Sequence, residues 1–327
     1  MEKIDFVIPW VDPTDPKWKR EFNIHYKEKS GIDATFERYR DWDLLKFWFR
    51  GVEQCAPWVN KVHFITNGHT PRWLNLNYEK LNFIRHEDYI PQQFLPTFSS
   101  HPIEIFLHKI KDLSEKFVYF NDDFFLIDKV YPFDFFHKNL PCDISVFNTI
   151  PPTGISHILL NNLLQISENF NKKNIISNNV TKWFSLKYKE KLIRNFLLLP
   201  WPSFTGFYDH HLPQPFLKET FEEVWSKNNK ILIKTAQSKF RSNDDVNQYL
   251  FRYWQLCKGT FYPHDYSKYK YFTINENNID EIVNTIIKKR KKIITINDDH
   301  IDDFDNISKK LQNAFNVIFN KKSKFEK

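Results

Sequence analysis

Short apolar runs alternate with segments of helical periodicity through the first part of the chain, and each run closes in polar turn residues. Ile4 to Ile8 (IDFVI) is rich in β-branched residues and enters the Pro/Asp cluster PWVDPTDP. From Asp41 to Cys55 apolar residues recur at helical spacing, with Leu44, Trp48 and Val52 on one line and Leu45 and Phe49 beside it. KVHFIT predicts a strand ending in NGHTP, and LNFIRHED another ending in charge. SSHPIEIFLHKIKDL predicts a helix with Ser99 or Ser100 as its N-cap and Pro102 in the first turn. FVYFN closes the series and runs directly into Asp122 and Asp123.

This order, β-α-β-β-α-β, is that of an α/β domain with a largely parallel, Rossmann-like sheet flanked by helices. Polar residues fall at the carboxyl ends of the candidate strands: Trp10 and Asp12, Asn67 and Gly68, His86 to Asp88, and Asn121 to Asp123. Ligands of open α/β sheets bind along that edge. One such cluster is an ordinary turn; four on one edge point to a site.

The rest of the chain divides by composition. An α/β core is expected over residues 1–150, a helical, basic insertion over 151–205, and a second part of the core with a C-terminal helix over 206–327. Within the insertion, KWFSLKYKEKLIRNFLLLPWP is basic, aromatic and apolar, the pattern of a surface element that meets an anionic membrane. A solvated basic helix packed by its leucines fits that segment equally well. PQPFLKETFEEVWSKNN and DDVNQYLFRYWQLCK predict helices. A polar linker, a Lys-rich run and a terminal helix from about Asp303 follow, and the last residues, NKKSKFEK, are expected to fray.

Composition narrows the function. The 327 residues carry a formal charge of +7, which suits an anionic substrate or an acidic membrane surface. No nucleic-acid-binding signature accompanies that charge, so no nucleic-acid partner is expected. Three widely spaced cysteines make neither a metal motif nor a disulfide framework, and no signal-like or membrane-spanning apolar stretch is present. A cytoplasmic protein is expected. With only six glycines the chain holds no Gly-rich phosphate loop, so a nucleotide would need another device.

Paired carboxylates at a strand end are such a device. Asn-Asp-Asp occurs at Asn121–Asp123, Asn243–Asp245 and Asn297–Asp299. Two oxygen ligands of this kind hold Mg²⁺ or Mn²⁺, which neutralises a diphosphate. The same residues also form turns, and Asp244 and Asp245 fit the charge preferred at a helix start. FYDHHLP sets His211 close to Asp209, a pairing suited to general-base work near neutral pH. Arg241 offers a planar fork to phosphate four residues before Asp245.

Taken in order, IDFVIPWVDPTDP, RYRDWDLLKFWFRGVEQCAPWVNKVHFITNGHTPRWLN, LPTFSSHPIEIFLHKIKDLSEKFVYFNDDFFL, FTGFYDHHLPQPF with FRSNDDVNQYLFRYWQ, and ITINDDHID closely resemble the signature regions of the Stealth family. The resemblance covers most of the chain outside about 151–180 and implies a nucleotide-sugar-transferase-type sheet. It implies transfer of a sugar 1-phosphate from a nucleotide sugar, usually a UDP-sugar, to a hydroxyl of a glycan or lipid-linked glycan, with release of the nucleoside monophosphate. It further implies catalytic roles for Asp123, His211 and Arg241. Metal ligation is assigned to Asp122, Asp123 and Asp245, and substrate contact to Trp10, Asp12, Arg38, Asp41, Asn67, His101, Asn121 and Asn297. Either His211 or Asp123 serves as the base. Two rivals remain: a metal-dependent glycosyltransferase that moves the sugar without its phosphate, and a carbohydrate-binding module built on the aromatic surplus.

Overall fold

The computed structural model describes residues 2–26, 40–152, 154–298 and 301–327. In chain order the elements are β1 (Ile4–Pro9), α1 (Pro16–Tyr26), α2 (Leu45–Cys55), β2 (Val62–Thr66), β3 (Leu81–Arg85), α3 (Ser100–Ile105), β4 (Lys116–Tyr119) and β5 (Phe124–Leu126). There follow α4 (Pro132–Phe135), β6 (Phe136–His137), β7 (Leu140–Asp143), α5 (Ser156–Asn169), α6 (Lys172–Asn178), α7 (Val180–Trp183) and α8 (Leu192–Leu198). The chain then continues through β8 (Gln214–Leu217), α9 (Lys218–Ala236), α10 (Tyr249–Lys258), β9 (Tyr262–Pro263), β10 (Tyr269–Thr273), α11 (Ile279–Ile287), β11 (Ile293–Asn297) and α12 (Phe304–Ile318).

The main sheet has the order β3-β2-β1-β4-β8. Its first four strands run parallel and β8 closes the edge antiparallel to β4. The mixed α/β class and the parallel core expected from the sequence are both present. Alternate residues of β1 face opposite layers. Phe6 and Ile8 enter a core shared with α2, α11 and α12, whereas Val7 enters one shared with α9 and α10. A second sheet, β10-β11-β5, seats its β5 strand against α2. There Gly51 comes so close to the Leu126 carbonyl that a Cβ would stand 2.7 Å from it. Between Ser156 and Leu198 the chain forms the helices α5 to α8.

Four expectations are corrected. Gln214–Leu217 is a strand, not the start of a helix; Pro215 is tolerated because β8 lies at the sheet edge. The stretch taken as linker and Lys-rich run contains β10, α11 and β11. The helix expected over 99–113 keeps its Ser99 N-cap but ends at Ile105. The indole of Trp225 donates to the Ile105 carbonyl at 2.8 Å, and Lys109 N–H turns instead to Phe106. The last residues are packed, not frayed. Phe325 is buried against Phe49 and Tyr78, Arg50 holds Glu326 through two hydrogen bonds of 2.8 and 2.7 Å, and Lys327 N–H donates to the Trp73 carbonyl.

Candidate active site

β4 ends in a turn, Asn121–Phe124, from which the chain doubles back as β5. The turn is fixed from the far side, since Ile296 N–H of β11 donates to the Asp123 carbonyl at 3.0 Å. His211 Nε2 then stands 3.4 Å from Asp123 Oδ2. The imidazole lies edge-on to Phe124 and Tyr271, at ring distances of 5.1 and 5.6 Å, and keeps about a third of its side chain exposed (36%). Its backbone has φ 44°, a left-handed conformation that costs a non-glycine residue roughly 1 kcal/mol or more. The buried Thr295 hydroxyl donates to the His211 carbonyl at 2.8 Å and holds the strained residue in place.

The electrostatics at this turn are those of unmet negative charge. Asp123 Oδ1 is buried and finds no hydrogen-bond partner among the described residues. The Asp122 carboxyl is pushed up to about 7, first by desolvation and then by the charges of Asp123 and Asp41, although the residue as a whole is exposed. Asp41 is raised as well, by desolvation first and then by Asp43 and Asp12, against the relief of a 2.8 Å bond from Asp43 N–H. Carboxylates from the ends of β1 and β4 and from the approach to α2 thus repel one another along one edge. Among the described residues no group of three or more His, Cys, Asp or Glu side chains forms a ready-made metal cage.

Beside these acids lies a pocket of about 210 Å³ lined by Trp10, Asp12, Asp41, Arg72 and Trp73 among others. Trp10 stacks on Phe64, and His69 is fixed by accepting the Asp12 N–H at 2.9 Å. That bond makes His69 Nε2 the unprotonated nitrogen, in keeping with a pKa lowered mainly by desolvation. A second pocket of the same volume, lined by Val52, Tyr78, Lys80 and Phe325, opens at the other end of α2 and holds none of the predicted site residues.

The remaining predicted residues fall in distinct places. Asn67 donates to Glu21 at 3.2 Å beside the His69 turn. Asn297 Nδ2 bonds the Asp298 carbonyl at 2.9 Å, while Asp298 receives Arg40 and Trp42, so the third Asn-Asp-Asp ties the C-terminal half to the approach to α2. The second repeat is placed otherwise. Asp245 is buried and accepts from Ser238 Oγ (2.7 Å) and Ser242 N–H (3.0 Å), with His101 Nδ1 2.9 Å away. His101 is itself 3% exposed, so these two residues are engaged with each other rather than presented to a cleft. Their contact pins the loop of Arg241 to α3, where Arg241 donates to Ser100 Oγ at 3.3 Å. The structure therefore holds the first repeat through Ile296, the residue just before the third, and holds the second against α3. Arg38, Asp299 and His300 lie outside the described residues.

Sequence reasoning missed the support beneath His211. Arg252, fully buried on α10, bonds Asp143 through both Nε and Nη2 and Asp209 through Nη1 at 2.7 Å. Tyr253 donates to the other Asp209 oxygen at 2.7 Å, and Gln214 donates to Asp143. Burial alone would raise Asp143; the Arg252 guanidinium overcomes it and holds the carboxyl well below its usual range. Asp209 is pushed up to about 6 by burial despite Arg252. His210 stacks on Tyr266, with Nε2 3.5 Å from Asp143 Oδ1, and neither ring nitrogen completes a hydrogen bond. The signal available was polar Arg252 and Gln255 inside the otherwise apolar run YLFRYWQLC.

Comparison with known proteins gives this arrangement a family. Residues 2–21 match Stealth protein CR1, conserved region 1, and residues 38–143 match Stealth protein CR2, conserved region 2. A capsular polysaccharide phosphotransferase, WcwK of Streptococcus pneumoniae, is 45% identical over 100% of this chain and 99% of its own. The chain belongs to the Stealth family. Another of its relatives, the exopolysaccharide phosphotransferase cps2G of Lactiplantibacillus plantarum, is 38% identical over 99% of this chain and 96% of its own. The receptor polysaccharide phosphotransferase WefC of Streptococcus gordonii is 41% identical over 80% of each. Among solved structures, an active-site mutant of LgtC aligns over 94% of this chain and 95% of its own, at 10% identity and a TM-score of 0.39. The first Stealth region supplies β1, Trp10 and Asp12, and the second runs from the approach to α2 through the Asp122–Asp123 turn.

Proposed function

We propose that this Stealth-family chain transfers a sugar 1-phosphate from a nucleotide sugar, a UDP-hexose or UDP-N-acetylhexosamine, to a hydroxyl of a glycan acceptor in capsule or exopolysaccharide synthesis. The acceptor oxygen bonds the sugar-bearing phosphorus, the bond from that phosphorus to the bridging oxygen breaks, and the nucleoside monophosphate leaves. Phosphoryl transfer asks a protein mainly for positioning and charge neutralisation. The observation that carries the reading is the Asp123–His211 pair beside an unpartnered buried carboxylate oxygen.

Mg²⁺ or Mn²⁺ fits these residues. An orphaned Asp123 Oδ1 and a raised Asp122 are what two carboxylates show when they await a cation. Mg²⁺ typically takes one or two protein carboxylates and completes its shell with water and substrate phosphates, so a fuller protein cage is not required. Asp122 and Asp123 would hold the ion, and the ion would neutralise the diphosphate. His211 takes the acceptor proton, with Asp123 as the counter-charge that favours the imidazolium formed. Arg241 contributes a forked contact to the transferred phosphate. The pocket of about 210 Å³ is smaller than the roughly 300–1,000 Å³ of a whole-ligand site, so it takes one part of the donor, the base and ribose, between Trp10 and Trp73. The reaction belongs in the cytoplasm, at the inner face of the membrane where a lipid-linked acceptor lies.

The test is to incubate the protein with a panel of nucleotide sugars, divalent cation and acceptor, and to identify the nucleotide released. A nucleoside monophosphate is expected, with a loss of two to four powers of ten in kcat for His211→Ala while donor binding survives. Release of a diphosphate overturns the reading in favour of plain glycosyl transfer.

A further inference from the structure

The membrane placement in that reading requires a surface, and one element of the insertion has its polarity reversed. α8 buries Leu192 and Asn195 but turns Ile193, Phe196 and Leu197 to solvent, at 60, 57 and 70% exposure. Leu186 before it (85%) and Trp201 after it (61%) are exposed as well. Ile193, Phe196 and Leu197 stand at i, i+3 and i+4, one face of the helix.

This exposure does not reflect a loosely held helix. Asn195 Oδ1 accepts from Phe147 N–H at 2.7 Å, and Asn195 Nδ2 donates to the carbonyls of Ser145 (2.8 Å) and Trp183 (2.6 Å). Lys172, itself buried, gives its ammonium to the carbonyls of Leu198 and Trp201, both at 2.6 Å, and so holds the C-terminal end. Polar anchors join Leu192 and Leu198 in fixing the helix from within, while Ile193, Phe196 and Leu197 stay more than half exposed.

The segment 182–201 carries Lys182, Lys187, Lys189, Lys191 and Arg194 against the single acid Glu190. Lys191 pairs with Glu190 and Lys189 with Asp265, whereas among the described residues Lys182, Lys187 and Arg194 bond only the neutral oxygens of Gly259, Pro263 and Asn148 and keep their charge uncompensated. Apolar and aromatic residues rimmed by cations are what an anionic bilayer interface binds, the rings and aliphatic chains entering the headgroup boundary and the cations meeting lipid phosphates. A second copy of the chain fits less well, since a two-fold contact would set the same basic rim against itself. We infer that the face formed by Leu186, α8 and Trp201 is a docking surface for anionic lipid. It rests on the proposed reading only in what it serves. The chain from Trp201 leads in ten residues to His211, held on the way by Tyr208 N–H bonding the Val146 carbonyl at 2.8 Å. Lipid-bound acceptor would thus be presented within at most about 35 Å of the base along the chain.

The full chain is tested with vesicles of phosphatidylcholine alone and with 30% phosphatidylglycerol at low salt, by co-sedimentation. Binding is expected to be at least tenfold tighter to the anionic vesicles and to weaken as salt is raised. The triple variant Ile193→Ser/Phe196→Ser/Leu197→Ser should lose binding tenfold or more while its unfolding midpoint and its turnover of a water-soluble acceptor stay unchanged. Arg194→Gln with Lys187→Gln should weaken binding and flatten its salt dependence. Absence of anionic-vesicle binding at low salt by a folded parent overturns the inference. So does a dimer seen by sedimentation velocity that the triple variant abolishes, which would make a second copy the occupant. Vesicle binding by a protein that releases no nucleoside monophosphate leaves this inference standing and defeats the catalytic one.

Discussion

Asp122 and Asp123 close β4, and Asp143 closes β7, so two acidic sets stand at strand ends of one molecule in opposite surroundings. Asp143 and its neighbour Asp209 receive Arg252, Gln214 and Tyr253, and the guanidinium meets both carboxylates. Among the described residues Asp122 and Asp123 receive no Lys or Arg; they face each other, Asp41, and the imidazole of His211, which stands 3.4 Å from Asp123. The paired set lies within the structure and orients the segment 209–211. The unpaired set lies on the sheet edge where ligands bind. Carboxylates whose charge the fold neutralises are scaffold, whereas those it leaves in mutual repulsion are held for a ligand that brings the missing charge.

Breaking the paired set should have the largest effect. Arg252→Met leaves Asp143 and Asp209 buried without their cation, and a loss of about 3–5 kcal/mol is expected in denaturant unfolding. Activity should fall by more than the folded fraction, because the segment 209–211 loses its support. A smaller effect follows from His210 beside Asp143. Burial depresses its pKa to about 4 from an ordinary 6.5, with Asp143 opposing the shift. Below pH 6.5 the unfolded chain takes a proton that the folded chain refuses, so stability present above 6.5 is lost as pH falls toward 4. The loss is on the order of 3 kcal/mol, and His210→Phe should remove most of that slope from unfolding curves measured between pH 7 and 4. The smallest effect is expected at Thr295. Thr295→Val keeps the shape but frees the His211 carbonyl, for about 1 kcal/mol in stability. The kcat should drop more than that figure alone requires, because the strained His211 loses its restraint. A kcat that is unchanged in Thr295→Val would separate the strain at His211 from its chemistry.

The four parallel strands were legible because each is a β-branched or aromatic run bounded by turn residues, and their carboxyl ends marked the edge where Asp12, Asp41 and Asp123 gather. The family's motifs pointed to Asp123 and His211, and the structure sets them side by side. What escaped were features decided by distant partners. β8 is four residues containing Pro215 and becomes a strand only because β4 offers an edge. The terminal Phe325 is ordered by an Arg50–Glu326 contact that spans 276 positions. Asp143 and Arg252 meet across 109 positions, and nothing local in LPCDIS announces a buried ion pair. His101 and Asp245 looked like substrate and metal residues because polar type was visible and burial was not.

Thermal unfolding of the parent and of Asp123→Asn, each with and without Mn²⁺ plus the donor's nucleoside monophosphate, tests the central claim most directly. If the β4 carboxylates are reserved for a ligand cation, Asp123→Asn alone should melt at the same temperature as the parent or higher, because a repulsive buried charge has been removed. Cation with nucleotide should then raise the parent and leave the variant unmoved. A variant that melts well below the parent without ligand, and that responds to cation and nucleotide as the parent does, would make Asp123 scaffold like Asp143 and contradict the account.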